Sequence, residues 1–164
     1  MNKDDHVINA VILGIGVGYL LAPTLGEPTL HAIVLVGIPI VIGALFPDID
    51  TEFGTHRETF HNFVTLAVFL AFPIYFGNLF FVWMGVLTHF VLDLLGTKGG
   101  LALFYPATRH VSVPVGVTVD SRKARVVTLA VTGLELGVVW TLVHYGFGNL
   151  LRAPGVWDLF TTVF

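Results

Sequence analysis

The sequence contains no cysteine, and charged residues account for only 12% of its 164 positions. Without cysteine the chain offers neither disulfides nor thiolate ligands, so any metal ion must be held by His, Asp or Glu. The formal net charge is only -3, which lacks the basic excess typical of proteins that bind nucleic acid. The N-terminus also lacks the positive charge of a secretory signal. We therefore predict no nucleic-acid partner and a first apolar segment that stays as a membrane helix.

Apolar residues dominate the sequence. The hydrophobic fraction is 55% and the mean hydropathy is +0.85, above the roughly 45–50% apolar content of soluble domains. Five apolar stretches, 7–22, 30–46, 63–76, 79–95 and 126–147, are candidate membrane helices. The third is short, so we expect its helix to begin earlier, near Glu58. The sequence predicts an all-α, multi-pass transmembrane bundle of about five helices, forming one domain over residues 1–164 with a tail over 148–164.

The basic residues predict the orientation of this bundle. If five helices cross the membrane, the N-terminus, the polar segment 47–61 and the long connection 96–125 share one side. Seven of the eight Lys and Arg residues lie there, and only Arg152 lies on the other side. Because basic residues concentrate in cytoplasmic loops, we place the N-terminus and the polar segment in the cytoplasm. The predicted location is the inner, or cytoplasmic, membrane.

The polar segment concentrates potential metal ligands. It carries Asp48, Asp50, His56 and His61, whose carboxylate and imidazole groups bind divalent ions. Asp48 and Asp50 lie two positions apart, so both reach one ion only if the backbone is irregular or one carboxylate bridges two ions. Ordinary turn chemistry after a proline is the alternative for this pair. The segment therefore predicts metal binding without deciding between the two aspartates.

Arg57 and Glu58 lie between the two histidines and are candidate catalytic residues. The planar guanidinium of Arg57 suits a phosphate group, although pairing with Asp50, Glu52 or Glu58 would also explain this arginine. A spare carboxylate, Glu58 or Glu52, is a candidate general base.

His89 and Asp93 form the most specific pair in the sequence. A spacing of four residues on a helix brings both side chains to one face, where they can contact one metal ion. Both lie in apolar surroundings, and ionisable groups at membrane depth are usually paired or functional. The alternative is a hydrogen-bonded pair that only packs helices together.

Glu135 is a further ionisable residue in an apolar helix, about ten residues into the fifth stretch. A carboxylate at that depth is expected to face the interior of the bundle. It is a candidate metal ligand, with a hydrogen-bond partner of a ligand and an inert, protonated acid as alternatives. His110, in the long connection, is expected to be a solvated loop residue.

Taken in order, these motifs resemble a known family. The chain has His6 near its start, then Leu-Phe-Pro-Asp-Ile-Asp, His-Arg-x-x-x-His, His-x-x-x-Asp, Leu-Gly-Thr-x-Gly-Gly and Tyr-Pro. This order resembles the YdjM-like family of membrane-bound, metal-dependent hydrolases, over about residues 1–125. The resemblance implies a multi-pass membrane protein whose metal site draws on the following ligands: His6, Asp48 or Asp50, His56 or His61, His89 and Asp93.

That family is in turn distantly similar to the zinc-dependent phospholipase C and P1 nuclease superfamily, whose all-helical enzymes cleave phosphoesters with zinc. The similarity implies a later acidic ligand, which Glu135 matches in order. Two departures matter: no histidine lies within a turn of Glu135, and Glu-Thr-Phe-His-Asn replaces the more usual Gly-Phe-Thr-His-Ser. We therefore expect one or two metal ions rather than three.

Together these features predict a membrane-bound metal-dependent hydrolase that acts on a phosphoester in a lipid or lipid-linked substrate. Zn(II) is expected by ligand type, with Mn(II) as the alternative, and would lower the pKa of a bound water to about 7. Arg57 would neutralise charge on the phosphoryl group. Two rival functions are a membrane scaffold with a structural metal and a metal or proton carrier. A carrier needs polar residues through the whole bilayer, whereas here they crowd at one side.

Overall fold

The computed structural model describes residues 3–96, 99–107, 109–113 and 122–146, and this part of the chain is all-helical. The α-helices are α1 (Lys3–Leu21), α2 (Glu27–Leu45), the single turn α3 (Asp50–Phe53), α4 (Phe63–Phe76), α5 (Val82–Gly96) and α6 (Arg122–Thr141). A 3-10 turn, Pro47–Ile49, precedes α3, and a π-helical turn, Leu142–Gly146, continues α6. Apart from α3, these are the five helices predicted, so the all-α fold is confirmed. Residue 147 and the tail 148–164 lie outside the described residues.

Three helical segments are long and apolar enough to cross a membrane. They are Lys3–Leu21, Glu27–Phe53, which joins α2 to α3, and Lys123–Tyr145. The helices α4 and α5 are apolar but shorter. By length and composition the described chain therefore provides three spans, and five crossings stay a prediction.

The helix α5 occupies the centre of the bundle. It contacts α1, α2, α4 and α6, while α1 packs against both α2 and α6. The contact between α2 and α5 is especially close at Gly43 and Gly85. A Cβ atom on Gly85 would overlap the carbonyl oxygen of Ile40 and lie 2.6 Å from the nitrogen of Ala44. Glycine at this crossing thus lets α5 approach the carboxyl end of α2.

The helix α4, which corresponds to the third apolar stretch of the sequence, begins at Phe63 rather than near Glu58 as predicted. Asn62 caps it, because its side-chain oxygen accepts a hydrogen bond from the Thr65 nitrogen at 3.0 Å. The Asn62 amide also donates to the carbonyls of Glu58 and Thr59, at 2.9 and 2.8 Å. These bonds fold the end of the polar segment into a turn, so the earlier start was wrong. The helix α5, which corresponds to the fourth apolar stretch, likewise begins later, at Val82 rather than at residue 79.

Part of the long connection packs against the polar segment. The Ala102 nitrogen donates to the Arg57 carbonyl at 3.1 Å, and the Phe63 nitrogen donates to the Leu103 carbonyl at 2.9 Å. Leu101 and Val111 form an isolated antiparallel bridge. This bridge is the one extended pairing among the described residues of the connection. The connection thus holds the turn that carries the candidate ligands.

Candidate metal centre

The centre is built around His89 and Asp93 of α5, both of which are buried. Their side chains share one helix face, with His89 Nε2 3.9 Å from Asp93 Oδ2. This is the arrangement that the spacing of four residues predicts.

Two side chains from the polar segment meet this pair. His61, in the turn before α4, places its Nε2 3.0 Å from His89 Nε2 and 3.6 Å from Asp93 Oδ2. Asp48, in the 3-10 turn, places its Oδ1 3.9 Å from His61 Nε2 and 3.6 Å from His89 Nε2. Donor atoms around a tetrahedral ion with bonds of about 2.0–2.1 Å lie roughly 3.3 Å apart. Five donor-atom separations among these four side chains thus lie between 3.0 and 3.9 Å, near or somewhat above this value.

Hydrogen bonds fix the orientation of both imidazoles. His89 Nδ1 lies 2.6 Å from the Ala44 carbonyl oxygen, which only accepts, so this nitrogen carries the proton. His61 Nδ1 donates to Asp50 Oδ2 at 2.7 Å. Both Nε2 atoms consequently present lone pairs to the same point. Burial lowers the pKa of His61 below its ordinary value, although the Asp50 carboxylate acts in the opposite direction. The lowered pKa favours the neutral ring, which is the form that binds metal.

Asp50 acts on the site through other residues. Its carboxylate is fully buried and accepts hydrogen bonds from His61 Nδ1, from His56 Nδ1 at 2.9 Å and from the Arg57 nitrogen at 3.1 Å. A carboxylate that accepts three such bonds orients its neighbours. The structure thus places Asp48 among the donor atoms and Asp50 behind them. His56 belongs with Asp48 and His61 to a group whose donor atoms lie within 4.8 Å of one another.

His6 reaches the centre from α1. Its Nε2 lies 3.1 Å from Asp93 Oδ1, and its ring stacks on that of His89 with centroids 3.9 Å apart. Its Nδ1 is buried without a hydrogen-bond partner in the described part of the chain. The two oxygens of Asp93 therefore face different imidazoles, with Oδ1 toward His6 and Oδ2 toward His61. This arrangement suits a carboxylate that bridges two ions, and equally one that His6 orients.

The two candidate catalytic residues lie in different surroundings. Arg57 places its Nε 3.9 Å from Asp93 Oδ2, and this nitrogen is buried without a hydrogen-bond acceptor among the described residues. The backbone of Arg57 has a φ of 68°, a left-handed conformation that is uncommon outside glycine. Glu58 instead faces His110, whose Nε2 lies 3.5 Å from Glu58 Oε1. Two groups of described residues have donor atoms close enough to hold an ion, one of His6, His89 and Asp93 and the other of Asp48, His56 and His61, and Glu58 belongs to neither.

Glu135 is likewise in neither of these groups. Its carboxyl oxygens lie 3.0 Å from Asn9 Nδ2 and 2.5 Å from Thr88 Oγ1. Sequence reasoning missed Asn9 and Thr88. The signal for both was position, because Asn9 follows His6 by three residues on one helix and Thr88 directly precedes His89.

Comparison with known proteins adds one finding. The family model described as "YdjM inner membrane protein" matches residues 5–154 of the chain. No curated protein and no solved structure matches it. The matched range includes every candidate ligand from His6 to Glu135. Its description names a membrane and no reaction, so the similarity to phospholipase C and P1 nuclease stays a prediction.

Proposed function

The chain belongs to the YdjM inner membrane protein family, and from this membership and its histidine–aspartate centre we propose that it is a membrane-bound, metal-dependent hydrolase. The proposed substrate is a phosphoester in a lipid or lipid-linked molecule, reached from the cytoplasmic leaflet. Zn(II) is the proposed ion, with Mn(II) as the alternative.

One observation carries the proposal, namely the close approach of two buried imidazole nitrogens whose rings each have their other nitrogen bonded to an oxygen acceptor. His61 Nε2 and His89 Nε2 are 3.0 Å apart, and both rings carry their proton on the opposite nitrogen. Two lone pairs at this distance repel unless a cation lies between them. A proton on His61 would relieve the repulsion, but burial disfavours the charged imidazole. A divalent ion resolves the conflict and also uses the oxygens of Asp48 and Asp93.

The positions of the residues support the following roles. When bound, a divalent ion acts as a Lewis acid that lowers the pKa of water to about 7 and polarises a phosphoryl oxygen. His61, His89 and Asp93 would hold it from the buried side. The Asp48 side chain is 26% exposed, so it marks the side open to substrate.

Arg57 supports a phosphoester as the substrate. Its Nε is a buried donor without an acceptor in the described chain, and it borders Asp93. Arginine binds phosphate oxygens through paired hydrogen bonds and stabilises negative charge that develops on the phosphoryl group. Three long apolar helical segments support a substrate that resides in the membrane. Glu58 is engaged with His110, and its role as general base stays a prediction.

A second candidate is a membrane scaffold with a structural metal ion. Structural zinc sites have four protein ligands, whereas catalytic sites keep one position for water or substrate. If Asp48 binds the ion permanently, the four donor atoms described above fill a tetrahedral site. The exposure of Asp48 and the free donor of Arg57 favour the hydrolase.

The first test is metal content per chain in protein purified in detergent without added metal. We expect Zn or Mn at one or two ions per chain in wild type, and loss of metal in His89→Ala and Asp93→Ala while helicity is retained. His31→Ala, at an exposed histidine near the start of α2, is the matched control. Wild-type protein that takes up neither Zn(II) nor Mn(II) after soaking with these ions would refute both candidate functions.

The second test separates the hydrolase from the scaffold. Metal-loaded protein in lipid vesicles is assayed for phosphate release from phospholipids and from a water-soluble phosphodiester. Asp48→Ala and Arg57→Ala are compared with wild type. A hydrolase loses activity in Arg57→Ala while keeping its metal. Stoichiometric metal with no turnover of any phosphoester tested would favour the scaffold.

A further inference from the structure

A second polar cluster lies beside the candidate metal centre, within the apolar bundle. It joins three helices through four side chains: Asn9 of α1, Thr88 of α5, and Thr132 and Glu135 of α6. Asn9, Thr88 and Thr132 are buried. The only charged or titratable member is Glu135, and no ion pair to it occurs among the described residues. The proposed reaction uses none of these groups.

The hydrogen atoms in this cluster can be counted from the distances. Thr88 Oγ1 lies 2.7 Å from Asn9 Oδ1 and 2.5 Å from Glu135 Oε1, but a hydroxyl carries one hydrogen. If that hydrogen goes to Asn9, Glu135 Oε1 must carry a proton and donate it to Thr88. If it goes to Glu135, Thr88 Oγ1 and Asn9 Oδ1 become two acceptors in contact and repel.

Exchanging the oxygen and the nitrogen of the Asn9 amide does not remove the need for a proton on Glu135. Its Nδ2 would then donate to Thr88, which donates to Glu135 Oε1. The Asn9 oxygen would face Glu135 Oε2, at the 3.0 Å now measured for Nδ2. Two oxygens at that distance also need a hydrogen between them, and Glu135 is the group that can supply it. The exchanged amide would also set its oxygen against Thr132 Oγ1 at 2.8 Å, although the hydrogen of that hydroxyl goes to the Thr128 carbonyl. The first orientation is therefore the one that satisfies every contact, and it does so only when Glu135 is protonated.

We propose that Glu135 is held as a neutral carboxylic acid and is a positioning residue for the metal centre. Its oxygens tie α1, through Asn9, to α5, through Thr88. Asn9 lies one turn from His6, and Thr88 directly precedes His89, so the acid fixes the register in which these two imidazoles stack. A neutral acid also avoids an unpaired charge in a membrane helix. The sequence left Glu135 open as a ligand, as a partner of a ligand or as an inert acid, and the proposal makes it a neutral acid that positions the candidate ligands.

The test uses Glu135→Gln, because a glutamine amide reproduces a protonated acid: its NH2 donates to Thr88 and its oxygen accepts from Asn9. Infrared spectra of protein in vesicles at neutral pH should show a protonated-carboxyl band in wild type that Glu135→Gln lacks. Glu27→Gln, at an exposed carboxylate, should keep the band. This readout does not depend on the proposed metal. A spectrum that is identical in wild type and Glu135→Gln overturns the proposal.

Metal affinity tests the positioning role, which rests on the proposed metal centre. Titration with Zn(II) should give wild-type affinity for Glu135→Gln and affinity weaker by about 10–100-fold for Glu135→Ala. Glu135→Gln that loses metal, or fails to fold, would show that the ionised carboxylate is required and overturn the neutral acid. Wild-type affinity in Glu135→Ala would overturn the positioning role. Wild-type protein that binds no metal yet shows the Glu135 band would refute only the metal centre.

Discussion

Asp48 and Asp50 lie two residues apart but serve the centre in different ways. The 3-10 turn directs Asp48 to the point between the two imidazoles, where it is partly exposed. Asp50 begins α3 and is fully buried among three donors. At the scale of single residues, one carboxylate lies among the donor atoms of the proposed centre, and the other holds the side chains that surround it.

Asp50→Asn and Asp48→Asn should therefore differ in their effect on the free energy of unfolding of the metal-free protein. An asparagine at Asp50 turns an NH2 group toward a histidine or backbone donor and leaves buried groups unsatisfied, which costs about 1–3 kcal/mol. At Asp48 the same change affects a partly exposed group and should leave the free energy of unfolding nearly unchanged. Unfolding in detergent with a chelator measures both. Equal destabilisation by the two variants would contradict the assignment.

The protonation of His61 predicts how stability depends on pH. Burial lowers its pKa in the folded protein below the ordinary value of about 6.5. Below that pH the unfolded chain binds a proton that folded His61 resists, so stability is lost as pH falls from 6.5 toward the folded pKa. The melting temperature of metal-free protein should fall less steeply in His61→Gln than in wild type over this window. His31→Gln is the control, and a slope unchanged in His61→Gln would disprove the effect.

At the scale of helices, the sequence could predict which segments are helical but not where every helix ends. Long apolar stretches in a membrane protein favour helices over other secondary structure, because backbone N–H and C=O groups in lipid must form their hydrogen bonds within the segment. The start of α4 depended instead on a side chain, since Asn62 caps the helix and folds the preceding residues into a turn. The sequence also could not predict the close crossing of α2 and α5 at Gly85, because glycine is common in membrane helices for other reasons.

Gly85→Ala tests whether this crossing positions the metal centre. The added methyl group meets the backbone of Ile40 and Ala44, which cannot yield as a flexible side chain would. We expect α5 to move from α2, with a loss of about 1–3 kcal/mol in stability and weaker metal binding, since His89 loses the Ala44 carbonyl. Gly137→Ala is the matched control in α6, where a Cβ meets nothing within 4 Å. Equal metal affinity in both variants would refute the coupling.

At the scale of the whole molecule, the centre joins segments that are distant in the chain. His6, Asp48, His61 and His89 come from α1, the 3-10 turn, the turn before α4 and α5. Spacing alone could predict one pair, His89 and Asp93, because both lie on one helix. The remaining candidate ligands could be named by residue type, but which of them meet at the proposed centre depended on packing. Glu135 shows this limit, since its depth left three roles open, a ligand, a partner of a ligand and an inert acid, whereas its contacts with Asn9 and Thr88 support the role proposed above.

The orientation of the molecule is the last prediction, and the absence of cysteine makes it testable. If the metal centre faces the cytoplasm, Thr55 in the polar segment lies inside the cell and Leu25, between α1 and α2, lies outside. Both residues are exposed, Leu25 at 82%. Single variants Leu25→Cys and Thr55→Cys are treated with a membrane-impermeant maleimide on intact spheroplasts. We expect Leu25→Cys to react at once and Thr55→Cys only after lysis, because the predicted five crossings place seven of the eight basic residues on the side of Thr55. The reverse pattern would place the centre, and its proposed substrate, on the outer side of the membrane.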